Sequence, residues 1–135
     1  RFEVDGRTIH LESIASPVFA LGTTTDHVAP WRSVFKLAYL LDTDVDFVLT
    51  SGGHNAGIVS EPGHKGRAFR HLTCRSGTIP PDQDDWLKAC PETAGSWWPA
   101  WSDWLQSRSS RQVGAPGRRR YSSMGPAPGT YVFEP

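Results

Sequence analysis

A carboxylate and an imidazole each follow an apolar segment in the first half of the chain. Asp26 comes directly after residues 17–25, and His54 follows residues 44–50 across a short glycine-containing loop. An imidazole beside a carboxylate is held in one tautomer, and its protonated form is stabilised. The two residues are therefore candidates for an acid–base pair, in the order of the last two members of a nucleophile–acid–His triad. The alternative is that they are ordinary capping or surface residues.

A nucleophile for such a triad is absent from the expected place. In one common chain order it precedes the acid and the histidine, on a G-x-S-x-G or G-x-C-x-G elbow, and neither motif occurs in the chain. Cys74 and Cys90 lack flanking elbow glycines and come after His54. We interpret both as structural thiols, because a free cysteine often behaves as a small buried apolar residue. Ser51, on the loop of His54, receives the same interpretation.

The elements that must position Asp26 and His54 form a strand–helix–strand pattern. Residues 17–25 contain a short continuous apolar run and predict a strand buried on both faces. Residues 44–50 predict a second strand. Residues 30–41 repeat apolar side chains at helical spacing, and Pro30 suits a first helical position. Two parallel strands need such a crossover. The first half therefore predicts an α/β fold with a parallel sheet, whose strand ends carry both site residues.

The second half has weaker patterns. Residues 67–75 predict a short strand. Residues 82–90 predict a short helix with Asp82 as its cap. Either strand of the first half, 17–25 or 44–50, is a candidate for an unpaired sheet edge that favours self-association.

A tryptophan-rich helix is predicted over residues 96–105, with Ser96 as its cap. Four apolar side chains are expected to share one face in the core or at a domain interface: Trp97, Trp101, Trp104 and Leu105. Residues 107–130 are rich in Ser, Arg, Gly and Pro and predict an extended or mobile segment.

Composition excludes several classes of protein. The chain has 135 residues, the size of one ordinary domain, and a formal net charge of zero. A neutral body argues against nonspecific nucleic-acid binding, and we interpret the basic run Arg118–Arg120 as a solvated tail. No apolar run approaches the roughly 20 residues of a membrane span. Two cysteines are too few for a disulfide scaffold. The histidines lack zinc-ligand spacing, so we predict no metal.

Four ordered blocks carry a family resemblance. Residues 26–34 (D-H-V-A-P-W-R-S-V) resemble the acid loop of poly(3-hydroxyalkanoate) synthases, and residues 51–57 (S-G-G-H-N-A-G) resemble their histidine loop. Residues 95–105 (G-S-W-W-P-A-W-S-D-W-L) are similar to their tryptophan-rich C-terminal helix. Residues 111–113 and 127–132 resemble the terminal stretch. The similarity covers nearly the whole chain, and the nearest group is the single-subunit synthases of short hydroxyacyl chains.

The resemblance implies an α/β-hydrolase-fold acyltransferase that polymerises 3-hydroxyacyl-CoA and releases CoA. It implies a covalent acyl-cysteine, with His54 as its general base and Asp26 either pairing with His54 or activating the incoming hydroxyl. His27 is expected to support the loop. No cofactor is implied beyond the CoA thioester substrate. A homodimer at the surface of a cytoplasmic polyester granule is implied for the full-length enzyme.

The missing cysteine implies that this chain is the C-terminal portion of such an enzyme. We then expect residues 1–107 to be part of the catalytic domain and residues 108–135 to be a basic, Pro/Gly-rich tail. The chain alone is expected to be inactive, because its nucleophile lies upstream. Two alternatives remain: the end of a serine esterase or lipase, and a non-catalytic binding module whose basic tail docks on an acidic partner.

Overall fold

The computed structural model describes residues 2–114 and 125–134. Its elements are, in chain order, β1 (Glu3–Val4), β2 (Arg7–Thr8), β3 (Val18–Thr23), α1 (Trp31–Phe35), α2 (Leu37–Leu40), β4 (Val45–Thr50), β5 (Ala68–Cys74), α3 (Gln83–Ala89), β6 (Glu92–Ala94) and α4 (Trp98–Ser107). Short 3-10 helices lie at Leu11–Ser13 and Tyr131–Phe133. The second of them follows the segment 107–130 that is predicted to be extended or mobile. The basic run Arg118–Arg120 lies outside the described residues.

The main sheet has the strand order β3-β4-β5-β6, and β1 and β2 form a separate antiparallel hairpin. β3 and β4 are parallel, with Val18 opposite Val45 and Thr23 opposite Thr50. β5 and β6 then add antiparallel neighbours. The predicted α/β class is confirmed, but the sheet is parallel only across its first pair. The loop between β4 and β5 contains no crossover helix. A parallel neighbour needs such a crossover, so β5 pairs with β4 in the antiparallel direction.

β4 is an inner strand of this sheet, and all six of its residues are buried. It has a partner on each side, so of the two candidate edges the one at residues 44–50 is excluded. β3 has β4 on one side and no other neighbour among the described strands. The free edge therefore belongs to residues 18–23.

Aromatic side chains fill the core on one face of the sheet. The ring of Phe47 lies 5.0 Å from that of Phe35 and 5.1 Å from that of Trp86, both nearly edge-on. Edge-to-face packing suits the ring quadrupoles. Gly22 lets α1 approach the sheet, because a Cβ there would lie 2.8 Å from the Cβ of Trp31. This contact places the start of α1, and hence the loop of Asp26, directly over β3.

The crossover helix predicted over residues 30–41 is divided. α1 ends at Phe35, and α2 begins after Lys36, whose carbonyl accepts hydrogen bonds from the N–H groups of Tyr39 and Leu40. A new hydrogen-bonded turn therefore starts at Lys36. Pro30 is extended, with φ −53° and ψ 132°, so it precedes the first helical residue.

α4 covers the opposite face of the sheet. The N-cap of α4 is Trp97 and not Ser96, so the predicted cap is wrong by one residue. The Ser96 hydroxyl, one position earlier, still accepts a hydrogen bond from the N–H of Trp98 at 3.0 Å. Trp97 is 7% exposed, but Trp101 and Leu105 are 43% and 41% exposed. These two residues are therefore not part of the core, and their placement at a domain interface stays a prediction. Trp97, just before α4, and Trp104 within it contact Phe19 of β3.

Residues 67–75 and 82–90 fold as predicted, into β5 and α3. The carboxylate of Asp82 accepts a hydrogen bond from the N–H of Asp84 at 2.8 Å. No helix within the described part of the chain is long and apolar enough to cross a membrane.

We predict that Asp82→Ala lowers the free energy of unfolding by about 1 kcal/mol, because α3 loses its side-chain cap. Asp85→Ala is the matched control. It removes the same charge from the same turn, but Asp85 makes only an exposed ion pair with Lys88, which contributes less. Urea unfolding of both variants measures the difference, and equal losses would contradict the capping role.

Candidate active site

The two predicted site residues lie on loops that the backbone joins. Beyond the paired ends of β3 and β4, the N–H of Thr24 donates to the carbonyl of Thr50 at 3.0 Å. The N–H of Thr25 donates to the carbonyl of Gly52 at 3.1 Å. The strand pairing is thus continued into the loops, and the carboxyl ends of parallel strands meet at one edge of a sheet.

Asp26 and His54 are hydrogen-bonded to each other. His54 Nδ1 lies 2.8 Å from Asp26 Oδ2, although the residues are 28 positions apart. The predicted contact between carboxylate and imidazole is present. The side chain of Asp26 is 7% exposed and that of His54 is 50% exposed, so a protected carboxylate supports an accessible base.

Backbone amides hold Asp26 in its ionised form. Its Oδ1 accepts hydrogen bonds from Ala29 N–H at 2.9 Å and from Val28 N–H at 2.8 Å. The bond from Ala29, the bond from His54 and then the bond from Val28 lower the pKa of Asp26 from 3.8 to about 2, against the opposing effect of burial. Asp26 is therefore a carboxylate at neutral pH. An aspartate that binds the amides two and three residues on is a common local turn.

The ionised carboxylate determines which imidazole nitrogen is basic. Because Asp26 can only accept, Nδ1 of His54 must donate. In neutral His54 the lone pair then lies on Nε2, which can take a proton from another group. The arrangement is suited to general-base chemistry.

A cavity of about 440 Å³ lies elsewhere, under α4, while one of about 310 Å³ adjoins the Asp26–His54 pair. The smaller cavity combines polar and apolar side chains. They include Asp26, His54, Asn55, Leu21, Val34 and Ile58. Because the smaller one contains the acid–base pair, we take it, and not the larger one, as the candidate substrate site.

Gly57 allows the histidine loop to press against β3. A Cβ on Gly57 would lie 2.6 Å from Cγ2 of Thr23 and 3.0 Å from the carbonyl oxygen of Ser51. Gly53 has room, since the nearest atom to its Cβ would be Thr25 Oγ1 at 3.5 Å. The close approach of loop and strand therefore depends on Gly57.

The candidate nucleophiles occupy structural positions. The hydroxyl oxygen of Ser51 accepts a hydrogen bond from Ala68 N–H at 3.1 Å, which joins the loop to β5. Cys74 and Cys90 are buried in the core cluster, and burial raises the pKa of both thiols. Their interpretation as structural thiols is confirmed. The described residues bring together an acid and a base, but no nucleophile beside them.

His27 makes no hydrogen bond with any residue in the described ranges. The loop is supported instead by the amides of Val28 and Ala29, which no side-chain motif reveals. No group of three metal-ligating side chains occurs within residues 2–114 and 125–134.

A second His–Asp pair, which the sequence reasoning missed, lies beneath α4. Asp46 on β4 accepts hydrogen bonds from Thr73 at 2.6 Å, Trp104 Nε1 at 2.8 Å and His71 Nε2 at 3.1 Å. Burial opposes its ionisation, but the bonds from Thr73, His71 and Trp104 outweigh burial and lower the pKa of Asp46. Asp46 is 6% exposed, and it fastens α4 to the sheet.

Comparison with known proteins gives no matching family model. The chain is 37% identical over 133 residues to the poly(3-hydroxyalkanoate) polymerase subunit PhaC of Rhizobium etli, which covers 97% of this chain and 20% of that protein. It is 41% identical over 127 residues to the poly(3-hydroxyalkanoate) polymerase of Methylorubrum extorquens, and this match covers 92% of this chain and 20% of that protein. It is 35% identical over 135 residues to the PhaC subunit of Cupriavidus necator, and this match covers 98% of this chain and 22% of that protein. The chain thus spans about a fifth of the length of these curated relatives.

We predict that Asp26 makes stability depend on acidic pH. Its pKa is lower in the folded chain than the usual 3.8, so its contribution is complete above about pH 4 and is lost as the pH falls through about 2. Between these values the Tm of the wild type should therefore fall more steeply than that of Asp26→Asn. Circular dichroism melts of both proteins measure this, and parallel curves would contradict it.

We predict that Gly57→Ala lowers the free energy of unfolding by about 1–3 kcal/mol, because the added methyl group overlaps Thr23 and Ser51. Gly53→Ala is the control in the same loop, and its methyl group makes only an ordinary contact. Denaturant titration separates the two variants. A Gly57→Ala variant as stable as Gly53→Ala would show that the loop does not need this close approach.

Proposed function

The chain resembles poly(3-hydroxyalkanoate) polymerases along almost its whole length, and on that premise we propose that it is the C-terminal part of such an enzyme. In this proposal it completes the sheet of an α/β-hydrolase-fold acyltransferase. The observation that carries it is the 2.8 Å contact between His54 Nδ1 and Asp26 Oδ2 at the ends of two parallel strands. A cysteine from the preceding part of the enzyme supplies the nucleophile.

In this mechanism His54 moves protons and Asp26 stays charged. Nε2 of His54 accepts the proton of the cysteine thiol, and the thiolate attacks the thioester carbonyl of 3-hydroxyacyl-CoA. CoA leaves as its thiol when the imidazolium returns the proton. Nε2 then accepts the proton of a substrate hydroxyl, whose oxygen attacks the acyl-cysteine. The ester bond forms as the bond between the acyl carbon and the cysteine sulfur breaks, and the imidazolium returns the proton to that sulfur. The carboxylate stabilises the imidazolium in both steps.

The surroundings of Asp26 support the role of orienting His54. One carboxylate oxygen accepts two backbone N–H groups, and the other accepts His54 Nδ1. With its side chain 7% exposed, Asp26 has little room for a substrate hydroxyl. We therefore assign hydroxyl activation to His54 Nε2, with Asp26 holding the ring.

The remaining parts of the proposal concern the complete enzyme. Residues 1–107 belong to its catalytic domain, and residues 108–135 form a basic tail. The enzyme uses no cofactor or metal beyond its CoA thioester substrate. It acts as a homodimer at the surface of a polyester granule in the cytoplasm.

We predict that His54→Gln in the longer natural protein lowers the release of CoA from 3-hydroxybutyryl-CoA by about a thousandfold, because the general base is lost. His64→Gln is the matched control, since His64 also pairs with a carboxylate, Glu61, at 3.0 Å. A thiol assay of CoA release measures both variants, and the control should retain wild-type activity.

Two outcomes would contradict the proposal. Full activity of His54→Gln would remove the general base from the mechanism. A wild type that hydrolyses simple esters through an upstream serine, with no transfer from CoA, would assign the chain to a serine hydrolase.

A further inference from the structure

The segment that leads into α4 binds the loop that follows His54. Three consecutive side chains donate hydrogen bonds to backbone carbonyls of that loop. The indole Nε1 of Trp97 donates to Gly57 at 3.2 Å, and that of Trp98 donates to Ile58 at 3.0 Å. The hydroxyl of Ser96 donates to the carbonyl of Ser60. These contacts link parts of the chain that lie about 40 residues apart.

The accepting carbonyls lie at the end of a short turn that begins at the histidine loop. Gly57 N–H donates to the carbonyl of Gly53 at 2.8 Å, and Ile58 and Val59 N–H both donate to that of Asn55. Carbonyls at the end of such a turn have no partner within it. The indole groups supply these partners.

Gly57 is confined from two directions. Its backbone lies so close to Thr23 on β3 that a Cβ would overlap Cγ2 of that residue. The Trp97 indole, 7% exposed and 6.2 Å from the ring of Phe19, binds its carbonyl. These two contacts limit any shift of the turn, and His54 is the second residue of that turn, directly after Gly53.

We propose that Trp97 and Trp98 are positioning residues for His54. Their indole N–H groups hold the turn in the one placement that keeps Nδ1 within hydrogen-bond distance of Asp26. This role rests on the proposed function only in taking His54 as the base. The two indole hydrogen bonds to the loop, which we call the clamp, can be tested without measuring turnover.

The test replaces each indole with phenyl, which keeps an aromatic ring but removes the N–H. Trp97→Phe and Trp98→Phe are compared with Trp104→Phe, which removes an indole hydrogen bond from the same helix, to Asp46 and not to the loop. Trp98 is only half-buried, so its variant remains informative if Trp97→Phe does not fold. The probe is nitrogen-15 NMR of the 135-residue chain, at a pH where His54 is neutral.

In the wild type and in Trp104→Phe we expect the Nδ1–H tautomer of His54 to predominate, because Asp26 accepts that proton. In the other two variants we expect the Nε2–H tautomer to rise at least threefold and the Gly57 amide to exchange at least tenfold faster. In the longer natural protein the same two substitutions should lower kcat about tenfold at constant KM, since a small misplacement of a catalytic group slows the chemical step.

An unchanged tautomer and unchanged exchange in Trp98→Phe would overturn the inference, as would equal changes in Trp104→Phe. The proposed function fails separately. If the Nε2–H tautomer rises in the two variants but the wild-type natural protein releases no CoA, the positioning role of the two tryptophans stands and the polymerase assignment is rejected.

Discussion

The parallel pairing of β3 with β4 is the constraint on which the rest of the site depends. It aligns the ends of both strands, and two further backbone hydrogen bonds, from Thr24 and Thr25, continue the alignment into the loops. The buried faces of β4 keep this register, because a slip by one residue would turn its apolar side chains to the wrong face. The strand pairing brings the two loops together, and side-chain contacts then set the short distance between Asp26 and His54.

The two faces of the sheet support different loops of the site. The aromatic core around Phe47 anchors α1 and thereby the loop of Asp26, with Gly22 allowing the close approach. The other face carries α4, whose Trp104 binds Asp46 on the sheet, while Trp97 and Trp98 at its start bind the loop of His54 directly. Each half of the acid–base pair is thus supported from its own side of the sheet.

Local patterns were enough to predict β3, β4 and the crossover, since their apolar runs and spacing are read within a few residues. The Asp26–His54 contact followed from that topology. The antiparallel course of β5 and β6 was not predictable in this way, because strand direction depends on the long connection after β4. The indole donors of Trp97 and Trp98 were missed for a related reason. Their partners are backbone carbonyls, which every sequence contains, so no residue type marks them.

A sheet edge without a neighbouring strand, such as that of β3, is a place where another part of a protein can be attached. Asp26, His54 and the groups that hold them all lie between residues 18 and 108, on one side of that edge. The contacts that orient the acid–base pair are therefore inherited together whenever this stretch is inherited. Recombination at a boundary just before Val18 would therefore exchange whatever precedes it without separating the pair from its supports.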